Sequence, residues 1–300
     1  MTSLSRIGLG TAQFGASYGI SNRHGRPSEA EVAEILARAV ESGVGFLDTA
    51  SGYGEAEALI GRHLPAHHTL RIVTKLPPVA ESEIKPGHKH LLLDALTKSL
   101  ERLKVDRVYG LLAHHASDLA KPGWQYIVEV LHEAHERGWA ARIGVSVYDS
   151  EELELIQSRL QPMIVQLPLN ALDRRLMTSG WLGRLKHSGI EIHARSAFLQ
   201  GLLLMEPADL PDFFAAVRAQ IANLRARWSA EGVSALAGCL AFVLQHPEID
   251  AVIVGINRPA ELDEIAAALA QIADRAIDFG PAPSIDPIHL DPSRWPAFTH

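Results

Sequence analysis

The fold is decided by three short stretches, Gly45-Phe46-Leu47-Asp48, Arg71-Ile72-Val73-Thr74-Lys75 and Val108-Tyr109-Gly110-Leu111-Leu112-Ala113-His114. Each is an apolar run that ends at a polar residue, and segments with helical periodicity separate the runs. Five further apolar runs occupy residues 7–10, 142–146, 163–166, 190–195 and 251–254. Most of these runs lack polar alternation, which is typical of parallel strands buried on both faces.

Helix signals lie between the runs. Ser28 with Glu31 three residues later predicts a capping box, and apolar residues follow it at helical spacing. Asp149 predicts the N-cap of a helix over residues 150–160. Eight strand-helix units in this length favour a closed (β/α)8 TIM barrel, one domain spanning residues 1–300. The alternative is an open doubly wound sheet.

Two segments depart from this alternation. Residues 207–228 and 234–245 resemble two extra helical pieces inserted before the last strand. The tail, residues 279–300, is rich in proline, so we expect an extended segment over the surface or the pocket mouth. We expect the long connections 16–27, 77–90 and 115–123 and the tail to shape a substrate pocket. Four large apolar residues are either candidates for the pocket mouth or packing residues: Trp124, Trp181, Trp295 and Phe298.

The composition is that of an ordinary globular protein, with 300 residues, 47% apolar and 21% charged. A net charge of −7 with interspersed signs gives no basic stripe for nucleic acid and no polybasic patch for a membrane surface, so we expect a small-molecule partner. The single cysteine, Cys239, excludes an intrachain disulfide framework, and the sequence shows neither a signal peptide nor a membrane span. We expect a cytoplasmic location, and the oligomeric state stays open.

The four polar residues Asp48, Tyr53, Lys75 and His114 suggest a reaction at a carbonyl group. A free phenol titrates near about 10, and a nearby ammonium group such as Lys75 would lower that pKa. Asp48 would keep the buried Lys75 protonated, and His114 could donate a hydrogen bond that orients the carbonyl oxygen. No side chain supplies hydride, so these residues imply a nicotinamide cofactor.

The chain resembles the aldo-keto reductase superfamily from residue 7 to about residue 270. The resemblance is carried by motifs that occur in the family's order and spacing: Gly8-Leu9-Gly10-Thr11 with Phe14-Gly15, Leu47-Asp48-Thr49-Ala50 with Tyr53-Gly54 and Glu57, Val73-Thr74-Lys75, Leu111-Leu112-Ala113-His114, Ile143-Gly144-Val145-Ser146, Val165-Gln166 with Pro168 and Asn170, Ala194-Arg195-Ser196 with Gln200-Gly201, and Gly255 with Arg258-Pro259. It implies a reductase that converts an aldehyde or ketone, including sugars, to an alcohol.

The resemblance also implies a role for each matching residue. Tyr53 would protonate the carbonyl oxygen while hydride arrives from the nicotinamide, Lys75 and Asp48 would tune Tyr53, and His114 would orient the substrate. The cofactor would be NADP(H), with NAD(H) as the alternative. Its implied ligands are Ser146 and Gln166 at the carboxamide, Arg195 at the nicotinamide, Ser196, Gln200 and Gly201 at the pyrophosphate, and Gly255 and Arg258 at the adenosine end.

Four positions depart from the family's pattern. Val147 stands where an asparagine usually contacts the carboxamide, and Gly255 and Glu261 occupy positions that are often basic in members that grip a 2′-phosphate, leaving Arg258 nearly alone. Arg195 stands where many members place an aromatic ring against the nicotinamide. Because its charge should repel the oxidised ring, we hypothesise that Arg195 favours the reduced cofactor.

Two other functions remain open at this point. One is a metal-dependent barrel hydrolase with His114, His115, Asp48 and His193 as ligands, although the first apolar run ends without a ligand. The other is a non-catalytic homologue that senses a nucleotide and signals to a partner. For the reductase we expect no metal site.

Overall fold

The computed structural model describes residues 3–273 and 275–296, and in it eight parallel strands close into a barrel. The strands pair in sequence order, and the last pairs with the first, which rules out the open sheet. The predicted (β/α)8 barrel is therefore confirmed. The strands are β1 (Ile7–Gly10), β2 (Phe46–Asp48), β3 (Arg71–Leu76), β4 (Val108–Ala113), β5 (Ala140–Ser146), β6 (Ile164–Pro168), β7 (Glu191–Arg195) and β8 (Ala251–Gly255).

Helices follow the strands and cover the outside of the barrel. The predicted capping box is present, since Ser28 Oγ accepts a hydrogen bond from the Glu31 backbone N–H and the Glu31 carboxylate accepts one from the Ser28 N–H. The α-helices are α1 (Ala12–Gly15), α2 (Glu29–Glu41), α3 (Ala56–His63), α4 (Pro86–Leu103), α5 (Gln125–Glu136), α6 (Ser150–Gln157), α7 (Arg175–Thr178), α8 (Trp181–His187), α9 (Arg218–Ala230), α10 (Ala235–Leu244) and α11 (Ala260–Ile272).

Two helix predictions need correction. Helix α6 begins after Asp149 as predicted but ends at Gln157 rather than near residue 160. Helix α10 is not an extra piece, because it packs against α11 as part of the outer helix layer. Its residues 237–243 are all buried, and it packs against α9 as well as α11, so it lacks a polar face.

The helix inserted into the (β/α)8 pattern before β8 is α9. Short 3-10 turns at Pro207–Asp209 and Asp212–Val217 precede it. Trp228 of α9 packs onto Gly238 of α10, where a Cβ atom would lie 2.4 Å from the indole ring. A residue larger than glycine at position 238 would therefore separate α9 from α10.

The tail contains no strand or α-helix within its described part, residues 279–296, and forms short 3-10 turns at Pro287–His289 and Pro292–Arg294. Phe279 packs edge-on against Phe242 of α10, with ring centroids 5.1 Å apart. Arg174 donates hydrogen bonds of 2.8 Å to the carbonyl oxygens of Phe279 and Gly280. These contacts fix the start of the tail against α10. Phe298 lies outside the described residues.

The barrel interior has an apolar layer between two polar ones. Val73, Leu112 and Ile164 are fully buried and form the apolar cluster. Side chains on a strand alternate between its faces, so Val73 lies on the same face of β3 as Lys75, one step further from the strand's carboxyl end. Toward the other end, Glu191 accepts hydrogen bonds from the Tyr109 hydroxyl at 2.6 Å and the His193 ring at 2.8 Å.

No helix among the described residues has the length and apolar character needed to cross a membrane.

Candidate active site

One cavity of about 850 Å³ opens at the carboxyl ends of the strands. In a (β/α)8 barrel this is the end at which chemistry takes place. Every residue that the sequence predicted for the site lines this one cavity: Asp48, Tyr53, Lys75, His114, Ser146, Gln166, Arg195, Ser196, Gln200, Gly201, Gly255 and Arg258. The fold thus brings the predicted residues together, while their individual roles stay predictions.

Lys75 and Asp48 form a buried ion pair at the floor of the cavity. The Lys75 ammonium is 2% exposed and donates to both carboxylate oxygens of Asp48, at 2.8 and 2.7 Å, and to the Thr49 carbonyl oxygen at 2.9 Å. Burial lowers the pKa of Lys75, but the charge and hydrogen bond of Asp48 together with the interaction with Tyr53 outweigh burial, so the net shift is upward and the ammonium stays charged. All three N–H donors of Lys75 are directed at these oxygens.

Tyr53 lies beside this pair on the loop that follows β2. The Lys75 Nζ atom is 5.3 Å from the centroid of the phenol ring. The loop is fixed by a close approach to α1, since a Cβ atom at Gly15 would lie 1.8 Å from the Tyr53 carbonyl oxygen. Gly54 also adopts a left-handed conformation with φ of 52°. Because the donors of Lys75 are occupied, Lys75 acts on Tyr53 through its electric field.

The expectation that Lys75 lowers the pKa of Tyr53 is only partly met. Burial raises the pKa of Tyr53 and outweighs the lowering by Lys75, while Asp48 raises it further. The net direction is upward because removing the phenol from water disfavours the phenolate. Tyr53 is therefore protonated at neutral pH, which is the state that a proton donor requires.

His114 completes the group at the end of β4. Its ring lies edge-on to Tyr53, with centroids 5.8 Å apart at an interplanar angle of 78°. Burial and the neighbouring positive charge of Lys75 lower the pKa of His114 to about 3, so the ring is neutral. Within the described part of the chain its buried Nδ1 has no hydrogen-bond partner. His115 also lines the cavity but is exposed.

This lowered pKa predicts a pH dependence of stability. In the unfolded chain His114 binds a proton below about pH 6.5. In the folded protein the same side chain stays unprotonated until the pH falls to about 3. The contribution of a neutral His114 to stability is thus present above pH 6.5 and lost as the pH falls toward 3. We expect His114→Asn to lose less unfolding free energy than the original protein between about pH 7 and about pH 5 in urea titrations. Equal losses in both proteins would contradict the assignment.

Gln166 and Ser146 lie beside the ion pair on neighbouring strands, where they pair in the β5 to β6 register. The Gln166 side-chain amide donates a 2.7 Å hydrogen bond to Asp48 Oδ1. Gln166 therefore also holds the Asp48 carboxylate in place, a contact that the sequence did not reveal. The neighbouring Val147 side chain is fully buried and offers no polar group to the cavity.

Arg195 ends β7 and is half-buried. Its guanidinium lies 4.1 Å from the centre of the Tyr148 ring and donates a 3.0 Å hydrogen bond to the Val147 carbonyl oxygen. A longer contact of 3.4 Å reaches the Ser196 hydroxyl. These contacts fix the charged group at the cavity wall.

The segment after β7 turns sharply around the cavity. Ser196, Leu199, Gln200 and Gly201 adopt left-handed conformations, with φ of 60°, 48°, 53° and 89°. Successive backbone N–H groups in such turns form concave sites that bind anions. The loop over residues 16–27 is hydrogen-bonded to this segment. The Ile20 N–H donates to the Gln200 carbonyl oxygen and the Gln200 side chain donates to the Tyr18 hydroxyl, both at 3.1 Å.

The far end of the cavity lies beside β8 and α11. Arg258 contacts Glu261 at 3.4 Å, so its charge is shared with an acidic neighbour. A Cβ atom at Gly255 would lie 2.1 Å from the Gln13 side chain. The absence of a side chain at position 255 therefore leaves room for Gln13. Arg225 of α9 also lines the cavity, although it pairs with Glu206.

Sequence reasoning missed Tyr18, Tyr148 and Arg225, which all line the cavity. Tyr148 follows the Ser146 motif by two residues, a spacing that could have revealed it, whereas nothing local marks Tyr18 or Arg225. Among the predicted pocket loops, 16–27 lines the cavity and 115–123 contributes His115, but 77–90 does not contribute. The described tail, including Trp295, and the residues Trp124 and Trp181 do not line it either.

Two of the four ligands predicted for the metal-dependent hydrolase are bound to other side chains. Asp48 is held by Lys75, and His193 lies below the apolar layer, bonded to Glu191. Over residues 3–273 and 275–296, no cluster of three or more His, Cys, Asp or Glu is placed to hold a metal ion.

Sequence comparison identifies relatives over most of the chain. The profile of the Aldo/keto reductase family matches residues 6–278. A 6-dehydroglucose reductase from Novosphingobium aromaticivorans is 29% identical over 262 residues, covering 80% of this chain and 81% of that protein. The L-galactose dehydrogenase of Arabidopsis thaliana is 24% identical and covers 99% of this chain and 95% of that protein.

Solved structures share the fold. An aldo-keto reductase from Bacillus halodurans in its holo form superposes with a TM-score of 0.73 at 17% identity, covering 95% of both chains. An aldo/keto reductase from Klebsiella pneumoniae in complex with NADP and acetate gives 0.66 at 21% identity, covering 91% of this chain and 87% of the other. With a barrel of this topology and a family match across nearly its whole length, the chain belongs to the aldo/keto reductase family.

Proposed function

We propose that this aldo-keto reductase uses NADPH to reduce an aldehyde or ketone, including the carbonyl of a sugar, to an alcohol. The observation that carries the proposal is the buried Asp48–Lys75 pair beside Tyr53 and His114, all at one end of a long cavity. The sugar-related names of two relatives, a 6-dehydroglucose reductase and an L-galactose dehydrogenase, support a sugar carbonyl as substrate.

The cavity residues fit a dinucleotide. The volume of the cavity is in the range of small-molecule sites. The cavity extends from the Asp48–Lys75 ion pair past the left-handed segment 196–201 to Arg258. Ser146 and Gln166 would hold the carboxamide, Ser196 to Gly201 the pyrophosphate, and Arg258 the adenosine phosphate. We favour NADP(H) because Arg258, the nearby Arg225 and the NADP complex of a structural neighbour support it, with NAD(H) as the alternative.

The side chains divide the proton chemistry between them. The nicotinamide, when bound, supplies the hydride. Tyr53 is protonated and donates its hydroxyl proton to the carbonyl oxygen as negative charge develops there. The neutral His114 donates a hydrogen bond to the same oxygen and orients it. Lys75, kept charged by Asp48, stabilises the phenolate that Tyr53 becomes.

The experiment that tests this function follows the oxidation of NADPH across a panel of aldehydes, aldoses and keto-sugars. Turnover of at least one carbonyl compound that is lost in Tyr53→Phe supports the reductase. Cofactor binding without turnover of any member would instead favour the non-catalytic sensor.

Arg195 predicts a preference between the two redox forms of the cofactor. Its guanidinium is fixed at the cavity wall, and its charge repels the positively charged oxidised nicotinamide. We expect Arg195→Gln to lower the ratio of the dissociation constants of NADP+ and NADPH by about three- to tenfold. Fluorescence titration of both forms measures this ratio. An unchanged ratio would end the hypothesis.

A further inference from the structure

Glu57 is a buried acidic residue that takes no part in the proposed reaction. It follows Tyr53 in the motif that the sequence shares with the family, and its side chain is fully buried. Taking a carboxylate out of water is costly unless both of its oxygens are well paired. The contacts of Glu57 therefore show what this buried charge holds together.

Both oxygens of the Glu57 carboxylate are paired. Oε1 accepts a 2.7 Å hydrogen bond from the Thr74 hydroxyl on β3. Oε2 accepts hydrogen bonds of 3.0 and 2.6 Å from Nε and Nη2 of Arg102 on α4. The same guanidinium donates a 3.0 Å hydrogen bond to the Ser99 hydroxyl. The carboxylate thus joins the first turn of α3 to β3 on one side and to α4 on the other.

The contact with Thr74 lies directly beside the reacting groups. Successive side chains of a strand point to opposite faces, so Thr74 points toward the helices while Lys75 points into the cavity. Tyr53 lies just before α3, and its carbonyl oxygen accepts a 3.0 Å hydrogen bond from the N–H of Ala56, the first residue of that helix. A shift of the start of α3 relative to β3 would therefore also move Tyr53.

Ser51 holds the other end of the same stretch of chain. Its hydroxyl donates a 3.1 Å hydrogen bond to the Lys75 carbonyl oxygen. Tyr53 lies between Ser51 and Glu57 in the sequence. Residues 51–57, which carry the phenol, are thus anchored at both ends to consecutive residues of β3.

We propose that Glu57 is a positioning residue for Tyr53. By accepting the Thr74 hydrogen bond, it sets the 5.3 Å distance between the phenol ring and the Lys75 Nζ atom. Glu57 does not line the cavity, so it acts only through Tyr53. The inference rests on the proposed reductase function. A larger distance would weaken the attraction between the ammonium and the phenolate, because this attraction falls as the charges separate.

The test separates the hydroxyl of Thr74 from its methyl group. Thr74→Val keeps the size of the side chain but removes the donor to Glu57, whereas Thr74→Ser keeps the donor and removes a methyl group. We expect Thr74→Val to lower kcat by about ten- to a hundredfold, the effect of a small misplacement of a reacting group. The KM for the carbonyl compound and the dissociation constant of NADPH should change little. Thr74→Ser should keep a kcat near that of the original protein.

The matched control is Ser99→Ala. It also removes a buried hydroxyl from the Glu57 network, but Ser99 contacts Arg102 within α4 and does not touch β3. This variant should keep the original kcat. An unchanged kcat in Thr74→Val, or an equal fall in Thr74→Ser or Ser99→Ala, would overturn the inference while leaving the reductase function standing.

A second measurement does not depend on turnover. Crystal structures of the original protein, Thr74→Val and Thr74→Ser give the distance between the Tyr53 ring and the Lys75 Nζ atom directly. A distance that increases only in Thr74→Val supports the inference even if no carbonyl compound is turned over. The same distance in all three proteins refutes it, whereas the reductase function itself is judged separately by Tyr53→Phe.

Discussion

Tyr53→Phe will lower kcat for carbonyl reduction by about 10²- to 10⁴-fold, the range that a positioned proton donor contributes. The substitution removes only the hydroxyl, and the ring can keep its edge-on contact with His114. The ion pair of Lys75 with Asp48 does not involve Tyr53, so it should persist. We therefore expect the dissociation constant of NADPH and the unfolding free energy to change little.

The measurement combines steady-state kinetics with fluorescence titration of NADPH. Tyr126→Phe on α5 is the matched control, because it also deletes one phenolic hydroxyl but lies outside the cavity. Its kcat should stay near that of the original protein. If Tyr53→Phe keeps more than about a tenth of the original kcat, another group donates the proton and the assignment of Tyr53 is wrong.

Lys75→Met will have the largest effect on stability. It leaves the Asp48 carboxylate, which is 5% exposed, with the Gln166 amide but no cation. Removing one partner of a buried pair costs about 3–5 kcal/mol because the remaining charge is uncompensated. We expect a loss of this size in the free energy of unfolding measured by urea titration, together with loss of reductase activity.

The double variant Asp48→Asn with Lys75→Met tests the cause. Asparagine keeps the size of Asp48 but removes its charge, so the double variant should be more stable than Lys75→Met alone. Activity should not return, since the charge that stabilises the phenolate is still missing. If the double variant is less stable than the single one, the loss comes from packing around the lysine stem rather than from the unpaired carboxylate.

The sequence predicted the barrel and its strand ends well for a physical reason. Strands buried on both faces must be apolar along their length, so each run stops where the chain reaches the polar cavity, as at Asp48. The contact between Asp48 and Lys75 was also predictable, because β2 and β3 are neighbours and Asp48 pairs with Val73, two residues before Lys75.

Other features depend on the three-dimensional surroundings and were not readable locally. The net direction of the Tyr53 pKa shift depends on how far burial outweighs the field of Lys75. The Gln166 bond to Asp48 joins residues 118 positions apart in the chain. Helix α10 looked like an insertion because it follows another helical segment between the last two strands, and only its packing against α11 shows that it belongs to the outer layer.

The apolar layer inside the barrel separates two groups of hydrogen-bonded polar side chains. Hydrogen bonds link Asp48, Lys75 and Gln166 above this layer and Glu191, Tyr109 and His193 below it, and none described joins the two groups. Val73, Leu112 and Ile164 fill the space between them with hydrocarbon, which cannot relay a proton. In the proposed reaction, the phenolate left at Tyr53 would therefore regain its proton from bulk solvent through the open mouth of the cavity.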